Sequence, residues 1–90
     1  MVERTVVITN PLGIHARPAA LIVQCAADYS SDIFLSKGDV SGVNGKSIMG
    51  VMMLAAEKGS QVKIVAEGPD AEKAIAAIGD LIESNFEESD

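Results

Sequence analysis

Turn-forming residues divide this chain into short segments, and this division limits the folds that it can adopt. The interruptions fall at Asn10-Pro11, Asp28–Ser31, Lys37-Gly38-Asp39, Asn44-Gly45, Glu57–Ser60 and Gly68-Pro69. No apolar segment between them approaches the length of a membrane-spanning helix, so we expect no membrane insertion. Each segment must therefore bury its apolar side against the others in one shared core.

Four segments have the composition or the alternation of β-strands. Thr5–Thr9 is rich in β-branched residues, and Gln61–Glu67 alternates polar and apolar residues. Ile33–Ser36 predicts another strand, and Val40–Val43, which contains Gly42, predicts a weaker one. The buried face of the 61–67 strand is expected to consist of Val62, Ile64 and Ala66.

Three further segments favour helices. Ala16–Ala27 tolerates Pro18 because the first helical turn has no internal amide bond to lose. Ser47 is a candidate N-cap for a short helix that ends near Leu54. A third helix follows Gly68-Pro69-Asp70 and carries one apolar stripe. This stripe consists of Ala71, Ala74, Ile75, Ile78, Leu81 and Ile82.

The resulting order is β-α-β-β-α-β-α, which predicts an α+β fold. We expect an open-faced two-layer sandwich, in which a four-stranded antiparallel sheet has its helices on one face. With 90 residues, of which 48% are apolar and 22% charged, the chain is expected to form a single domain over residues 1–90. Residues 85–90 are expected to be a frayed acidic tail.

The charge argues against nucleic acid as the main partner. The net charge is −6, and phosphate backbones are bound by Lys and Arg. Three aromatic residues also make a poor base-stacking surface. The acidity is local, however, because residues 1–66 hold five acidic and six basic residues, whereas residues 67–90 hold eight acidic and one basic. A phosphate site in the first 66 residues is therefore compatible with the overall charge.

The single Cys and the single His limit the chemistry further. Cys25 alone cannot form an internal disulfide, and with His15 it cannot complete a structural zinc site, so we expect no metal and no cofactor. Glu3 and Arg4 lie where an export signal would need a basic start followed by a long apolar run, so we expect a cytoplasmic location. His15 is then the one side chain whose ordinary titration lies near neutral pH.

His15 lies at the predicted start of the first helix. The first amides of that helix, at Ala16 and Arg17, have no internal partners and carry a partial positive charge. The Arg17 guanidinium adds a forked set of donors, so a phosphoryl group on the ring could be bound from two sides. A helix-capping His beside a solvated Arg is the alternative interpretation of the same residues.

Two motifs resemble one family, and the predicted order of elements agrees with that family over essentially all 90 residues. The run GIHARPA, from Gly13 to Ala19, is similar to the active-site signature of HPr, the histidine-containing phosphocarrier family of bacterial phosphotransferase systems. The run NGKSIMGVMML, from Asn44 to Leu54, resembles the regulatory-serine segment of that family. The resemblance implies that His15 accepts a phosphoryl group from phosphorylated Enzyme I and passes it to IIA proteins. Such a protein is a carrier in a relay rather than a stand-alone turnover enzyme.

The resemblance also assigns the other site residues. Arg17 would stabilise the phosphoryl group, together with the backbone amides of Ala16 and Arg17. Ser47 would be phosphorylated by an ATP-dependent HPr kinase/phosphorylase as a regulatory mark. We expect a monomer that docks on its partners through two helices. The docking residues are expected to be Ala20, Leu21, Gln24, Lys46, Ile48, Met49 and Met52.

Some positions depart from the pattern of the family and leave alternatives open. Leu12 stands where many members have a small polar residue, and Gln24 and Asp28 stand where well-known members have lysines, so Arg17 and Lys46 would supply more of the electrostatic attraction. The run ITNPLGIHARPA and the acidic end also resemble the nitrogen-related paralogue. A non-catalytic regulator controlled through Ser47 is a second hypothesis, and a small-ligand binding domain is a third.

Overall fold

The computed structural model describes residues 1–11 and 13–87 and contains the predicted elements in the predicted order. The strands are β1 (Val2–Val7), β2 (Asp32–Lys37), β3 (Val40–Asn44) and β4 (Gln61–Glu67). The helices are α1 (Ala16–Ala27), α2 (Ile48–Met53) and α3 (Ala71–Glu83), and a 3₁₀ turn covers Asn85–Glu87. In the part of the chain that the structure describes, no helix is both long and apolar enough to cross a membrane.

The four strands form one sheet in the order β1-β4-β2-β3, and all neighbouring strands are antiparallel. Along β4, the side chains of Val62, Ile64 and Ala66 are completely buried, and the side chains that alternate with them are exposed or half-buried. The helices pack on the buried face, with α3 against β1 and β4, and α1 against α2 and α3. The prediction of an α+β open-faced sandwich is confirmed.

The first strand begins and ends earlier than the predicted Thr5–Thr9. Its position follows from pairing with β4, in which Val2 lies opposite Ala66 and Val7 lies opposite Gln61. Because Gln61 is the first residue of β4, the strand pairing ends there. Ile8 instead forms hydrogen bonds with the turn before β4. Its N–H donates to the Ser60 carbonyl at 2.9 Å, and its carbonyl accepts from the Gly59 N–H at 2.8 Å. The range of β1 is therefore set by its partner strand rather than by local composition.

An arginine near the start of the chain connects β1 to α3. The Arg4 guanidinium lies over Gly79 so closely that a Cβ on Gly79 would stand 2.8 Å from Nε. It also donates to the Asp80 carboxylate at 3.4 Å and to the Glu83 carboxylate. The apolar stripe of α3 packs beneath these exposed ion pairs, with Ala74, Ile78 and Ile82 completely buried.

The acidic end of the chain is partly described. Within the segment that the sequence predicts to fray, the turn Asn85–Glu87 has a left-handed backbone at Asn85 (φ 60°) and Phe86 (φ 57°), and the Phe86 side chain is buried. Glu88, Ser89 and Asp90 lie outside the described residues, as does Leu12.

Asp70 connects the start of α3 to the loop between α1 and β2. Its carboxylate forms no cap hydrogen bond to α3. It accepts instead from the Ser30 N–H at 2.9 Å, from the Ser31 N–H at 2.9 Å and from the Ser31 hydroxyl. These bonds lower the pKa of the Asp70 carboxyl from its ordinary value of 3.8 to about 2, with the Ser31 hydroxyl as the largest cause.

The hydrogen bonds of Asp70 predict that part of the free energy of unfolding is lost at low pH. Because the pKa is lower in the folded chain, the charged carboxylate stabilises the fold above pH 3.8, and this contribution is lost as the pH falls towards about 2. We expect the difference in unfolding free energy between the wild type and Asp70→Asn to shrink over that range. Urea denaturation at several pH values measures it, and a difference that does not change with pH would contradict the prediction.

Candidate functional site

His15 is the residue that immediately precedes α1. Its backbone is extended, with φ −113° and ψ −162°, and its carbonyl accepts the first helical hydrogen bond, from the Ala19 N–H at 2.9 Å. The side chain is exposed and forms no cap hydrogen bond to the helix. The imidazole is therefore accessible from solvent, and the capping role that the sequence left open is not one that the ring performs in this structure.

The start of α1 presents unused donors beside the ring. Among residues 1–11 and 13–87, the N–H groups of Ala16 and Arg17 have no hydrogen-bond acceptor, and Pro18 has no N–H. Both Ala16 and Arg17 are exposed, and the guanidinium forms no ion pair with the described acidic side chains. Two free amides at a helix N-terminus and one cationic side chain can bind an anion of the size of a phosphoryl group.

The chain reaches His15 through a tightly packed backbone. Gly13 has a φ of +69°, in the left-handed region, and a Cβ at this position would stand 2.9 Å from the Glu57 Cα. The next residue, Ile14, is buried and donates its N–H to the Ala56 carbonyl at 2.8 Å. The turn after α2 thus supports the segment that leads into His15.

Sequence reasoning did not identify Asn10 as part of this region. Its side chain is buried, and Nδ2 donates to the Gly13 carbonyl. Its own carbonyl accepts from the Gly13 N–H at 3.1 Å. The sequence signal was the Asn-Pro pair, which predicts a turn but says nothing about where the amide group points.

Ser47 lies at the other end of α1 from His15. Its Oγ accepts from the Gly50 N–H at 3.2 Å, so the predicted N-cap of α2 is present. The preceding residue, Lys46, donates from Nζ to the Tyr29 carbonyl at 2.7 Å, just beyond the C-terminal end of α1. Because α1 has 12 residues and is about 18 Å long, the structure does not bring Lys46 and Ser47 together with His15.

The expected docking residues are distributed over two neighbouring helices. On α2, the exposed fractions are 46% for Ile48, 75% for Met49 and 43% for Met52. Met53, at 66%, is an additional exposed residue that the sequence analysis did not include. We call these four residues the α2 apolar face. On α1, Ala20 and Leu21 are half-buried and Gln24 is exposed, and α1 and α2 pack against each other.

Cys25 is half-buried on α1 and is poorly suited to nucleophilic chemistry. Burial raises the pKa of its thiol, and the nearby Asp28 carboxylate raises it further. In the described ranges of the chain, no three His, Cys, Asp or Glu side chains are grouped closely enough to bind a metal ion.

Comparison with known proteins gives a consistent result. A family model described as the phosphorylation site of the PTS HPr component matches residues 2–84. The phosphocarrier protein HPr of Treponema pallidum is 52% identical over 88 residues, which cover 98% of this chain and 99% of that protein. The crystal structure of HPr from Thermoanaerobacter tengcongensis has a TM-score of 0.92 at 53% identity, and the match covers 99% of both chains.

A related protein has a different assembly. The crystal structure of Crh from Bacillus subtilis has a TM-score of 0.74 at 40% identity, covering 94% of this chain and 97% of that chain. That structure is described as a dimer with a swapped domain.

The contact beneath Gly13 predicts an unequal effect of two glycine substitutions. Gly42 also has a φ of +69°, but a Cβ there would have no neighbour within 4 Å. We expect Gly42→Ala to cost about 1 kcal/mol of stability, from the left-handed backbone alone. Gly13→Ala should cost a further ~1–3 kcal/mol, because its Cβ meets the backbone of Ala56 and Glu57. Urea denaturation of both variants measures the difference, and equal losses would contradict it.

Proposed function

The chain belongs to the HPr family of phosphotransferase-system phosphocarriers, and we propose that His15 is the residue that carries its phosphoryl group. The observation that supports this most directly is the exposed imidazole, which forms no cap hydrogen bond and stands beside the free Ala16 and Arg17 amides. A site with a nucleophilic ring and unused anion donors can accept a phosphoryl group and hold it without a metal or nucleotide.

In the proposed transfer, Nδ1 of the neutral His15 ring attacks the phosphorus of phosphorylated Enzyme I. A phosphorus–nitrogen bond forms on His15 as the bond to the donor breaks, and the phosphoryl group then passes in the same manner to a IIA protein. The Arg17 guanidinium and the two amides stabilise the negative charge on the phosphoryl oxygens. The resulting phosphoramidate is labile, which is the property that a carrier needs.

The position of His15 suits successive use by two partners. Because the ring is exposed at the end of a helix, a donor and an acceptor protein can each enclose it in turn. The α2 apolar face, with Ala20, Leu21 and Gln24 of α1, is the proposed docking surface for Enzyme I and IIA proteins. Lys46 would contribute at the far end of α1. We propose that the carrier acts as a monomer in the cytoplasm.

Ser47 is proposed to be a second, regulatory phosphorylation site for HPr kinase/phosphorylase. Its Oγ lies at the start of α2, directly before the exposed Ile48. A phosphate there would add about two negative charges beside the docking surface and so change the affinity for partners. The ester is stable, whereas the phosphoramidate on His15 is not, and this difference separates a carrier from a regulator that acts through Ser47 alone.

The proposal for His15 predicts an acid-labile modification. Incubation of the wild type with Enzyme I and phosphoenolpyruvate should add the mass of one phosphoryl group, and acid treatment should remove it. His15→Ala should gain no mass, whereas Ser47→Ala should gain it normally and is the matched control. Intact-protein mass spectrometry measures all three. A wild type that remains unmodified by a cognate Enzyme I would refute the proposal. The same assay with Enzyme I of the nitrogen-related branch tests which branch the chain serves.

The proposal for Ser47 predicts that, with a different phosphoryl donor, modification depends on Ser47 and not on His15. With ATP and HPr kinase/phosphorylase, the wild type and His15→Ala should gain an acid-stable phosphoryl group, and Ser47→Ala should gain none. Ser47→Ala should also lose about 1 kcal/mol of stability, because the N-cap bond to Gly50 is removed. Mass spectrometry and urea denaturation measure the two effects. Phosphorylation of Ser47→Ala at the wild-type level would show that another residue is the target.

A further inference from the structure

We propose that Asn10 is a positioning residue for phosphoryl transfer at His15 and acts through the peptide group between Gly13 and Ile14. The inference rests on the proposed role of His15 and extends it to a residue that does not contact the ring. Asn10 follows β1, and the chain passes from it through Gly13 and Ile14 to the histidine.

The first argument is the burial of a polar side chain. Asn10 is 4% exposed, whereas its neighbours Thr9 and Pro11 are exposed. Burial of an amide group costs free energy unless the group is hydrogen-bonded, and an apolar side chain would fill the same space without that cost. Nδ2 donates to the Gly13 carbonyl, whereas Oδ1 is buried without a partner among the described residues, so the amide is only half satisfied. A half-satisfied buried amide costs stability, and this points to a role for the Gly13 bond beyond stability.

The second argument is the identity of the group that Asn10 binds. The Gly13 carbonyl and the Ile14 N–H belong to one planar peptide group. Asn10 Nδ2 donates to the Gly13 carbonyl oxygen of this group, and the Ile14 N–H donates to the Ala56 carbonyl at 2.8 Å. Both ends of this peptide group are thus hydrogen-bonded, in opposite directions, and its rotation would break two bonds.

The third argument is the dependence of His15 on its backbone. The imidazole makes no cap hydrogen bond that could orient it, so its position follows from the chain that leads into α1. Rotation of the Gly13–Ile14 peptide would change the direction of that chain one residue before His15. In-line phosphoryl transfer is sensitive to displacements of about 1 Å, so loss of the Asn10 bond should slow the transfer step.

The test is the rate of phosphoryl transfer to Asn10→Leu, which keeps the branching at Cγ but has no hydrogen-bond donor. We expect kcat for transfer from Enzyme I to fall about 10- to 100-fold, with KM nearly unchanged because the docking surface is intact. The matched control is Asn44→Ala, which removes another asparagine turn bond, from the Lys46 N–H to Asn44 Oδ1 at 2.9 Å. This variant should retain the wild-type kcat, since its bond lies at the far end of α1.

Each outcome has one meaning. A kcat for Asn10→Leu within about twofold of the wild type, or a rise in KM alone, would overturn the inference and leave the role of His15 intact. Failure of the wild type to accept a phosphoryl group would refute the proposed function instead. If Asn10→Leu does not fold, NMR can instead measure the hydrogen exchange of the Asn10 side-chain amide in the wild type. A buried, hydrogen-bonded amide should exchange its protons slowly. Rapid exchange of those protons would equally overturn the inference.

Discussion

The antiparallel pairing of β4 with both β1 and β2 is the interaction on which the rest of the structure depends. β4 lies between β1 and β2, and three of its side chains are completely buried beneath the helices. Because β1 is held along its full length, from Val2 opposite Ala66 to Val7 opposite Gln61, the chain leaves the sheet at a fixed place. That place lies beside the turn before β4, and the same turn contacts the segment that leads to His15.

The site is thus assembled from segments that are distant in sequence. Ala56, which follows α2, accepts from Ile14, which precedes α1, so the two helices are connected by a backbone hydrogen bond as well as by packing. Neither helix alone would place the histidine. The proposed phosphate site depends on this support, because it presents His15 next to the free amides of α1.

Local signals in the sequence were sufficient for the elements that are regular by themselves. The bounds of Ala16–Ala27 and Gln61–Glu67 agree with prediction, since helix propensity, capping and alternation all act over a few residues. Three features could not be predicted: the extent of β1, the bonds of Asp70 to Ser30 and Ser31, and the buried amide of Asn10. The first two depend on partners that are distant in sequence and that only the complete fold brings near. The bond from Asn10 to Gly13 spans three residues, but the Asn-Pro pair does not indicate where the amide points.

The separation of His15 from Ser47 limits how the two proposed phosphorylation sites can influence each other. They lie near opposite ends of α1, whose 12 residues span about 18 Å along the helix axis. In physiological salt the Debye length is about 8 Å, so direct repulsion through solvent between charges at the two ends is largely screened. An effect of a Ser47 phosphate on transfer at His15 would therefore act through a partner that covers both ends of α1. The α2 apolar face begins next to Ser47, and α2 is followed by Ala56, whose carbonyl binds the Ile14 N–H one residue before His15. A protein that docks on this face would therefore lie close to both sites.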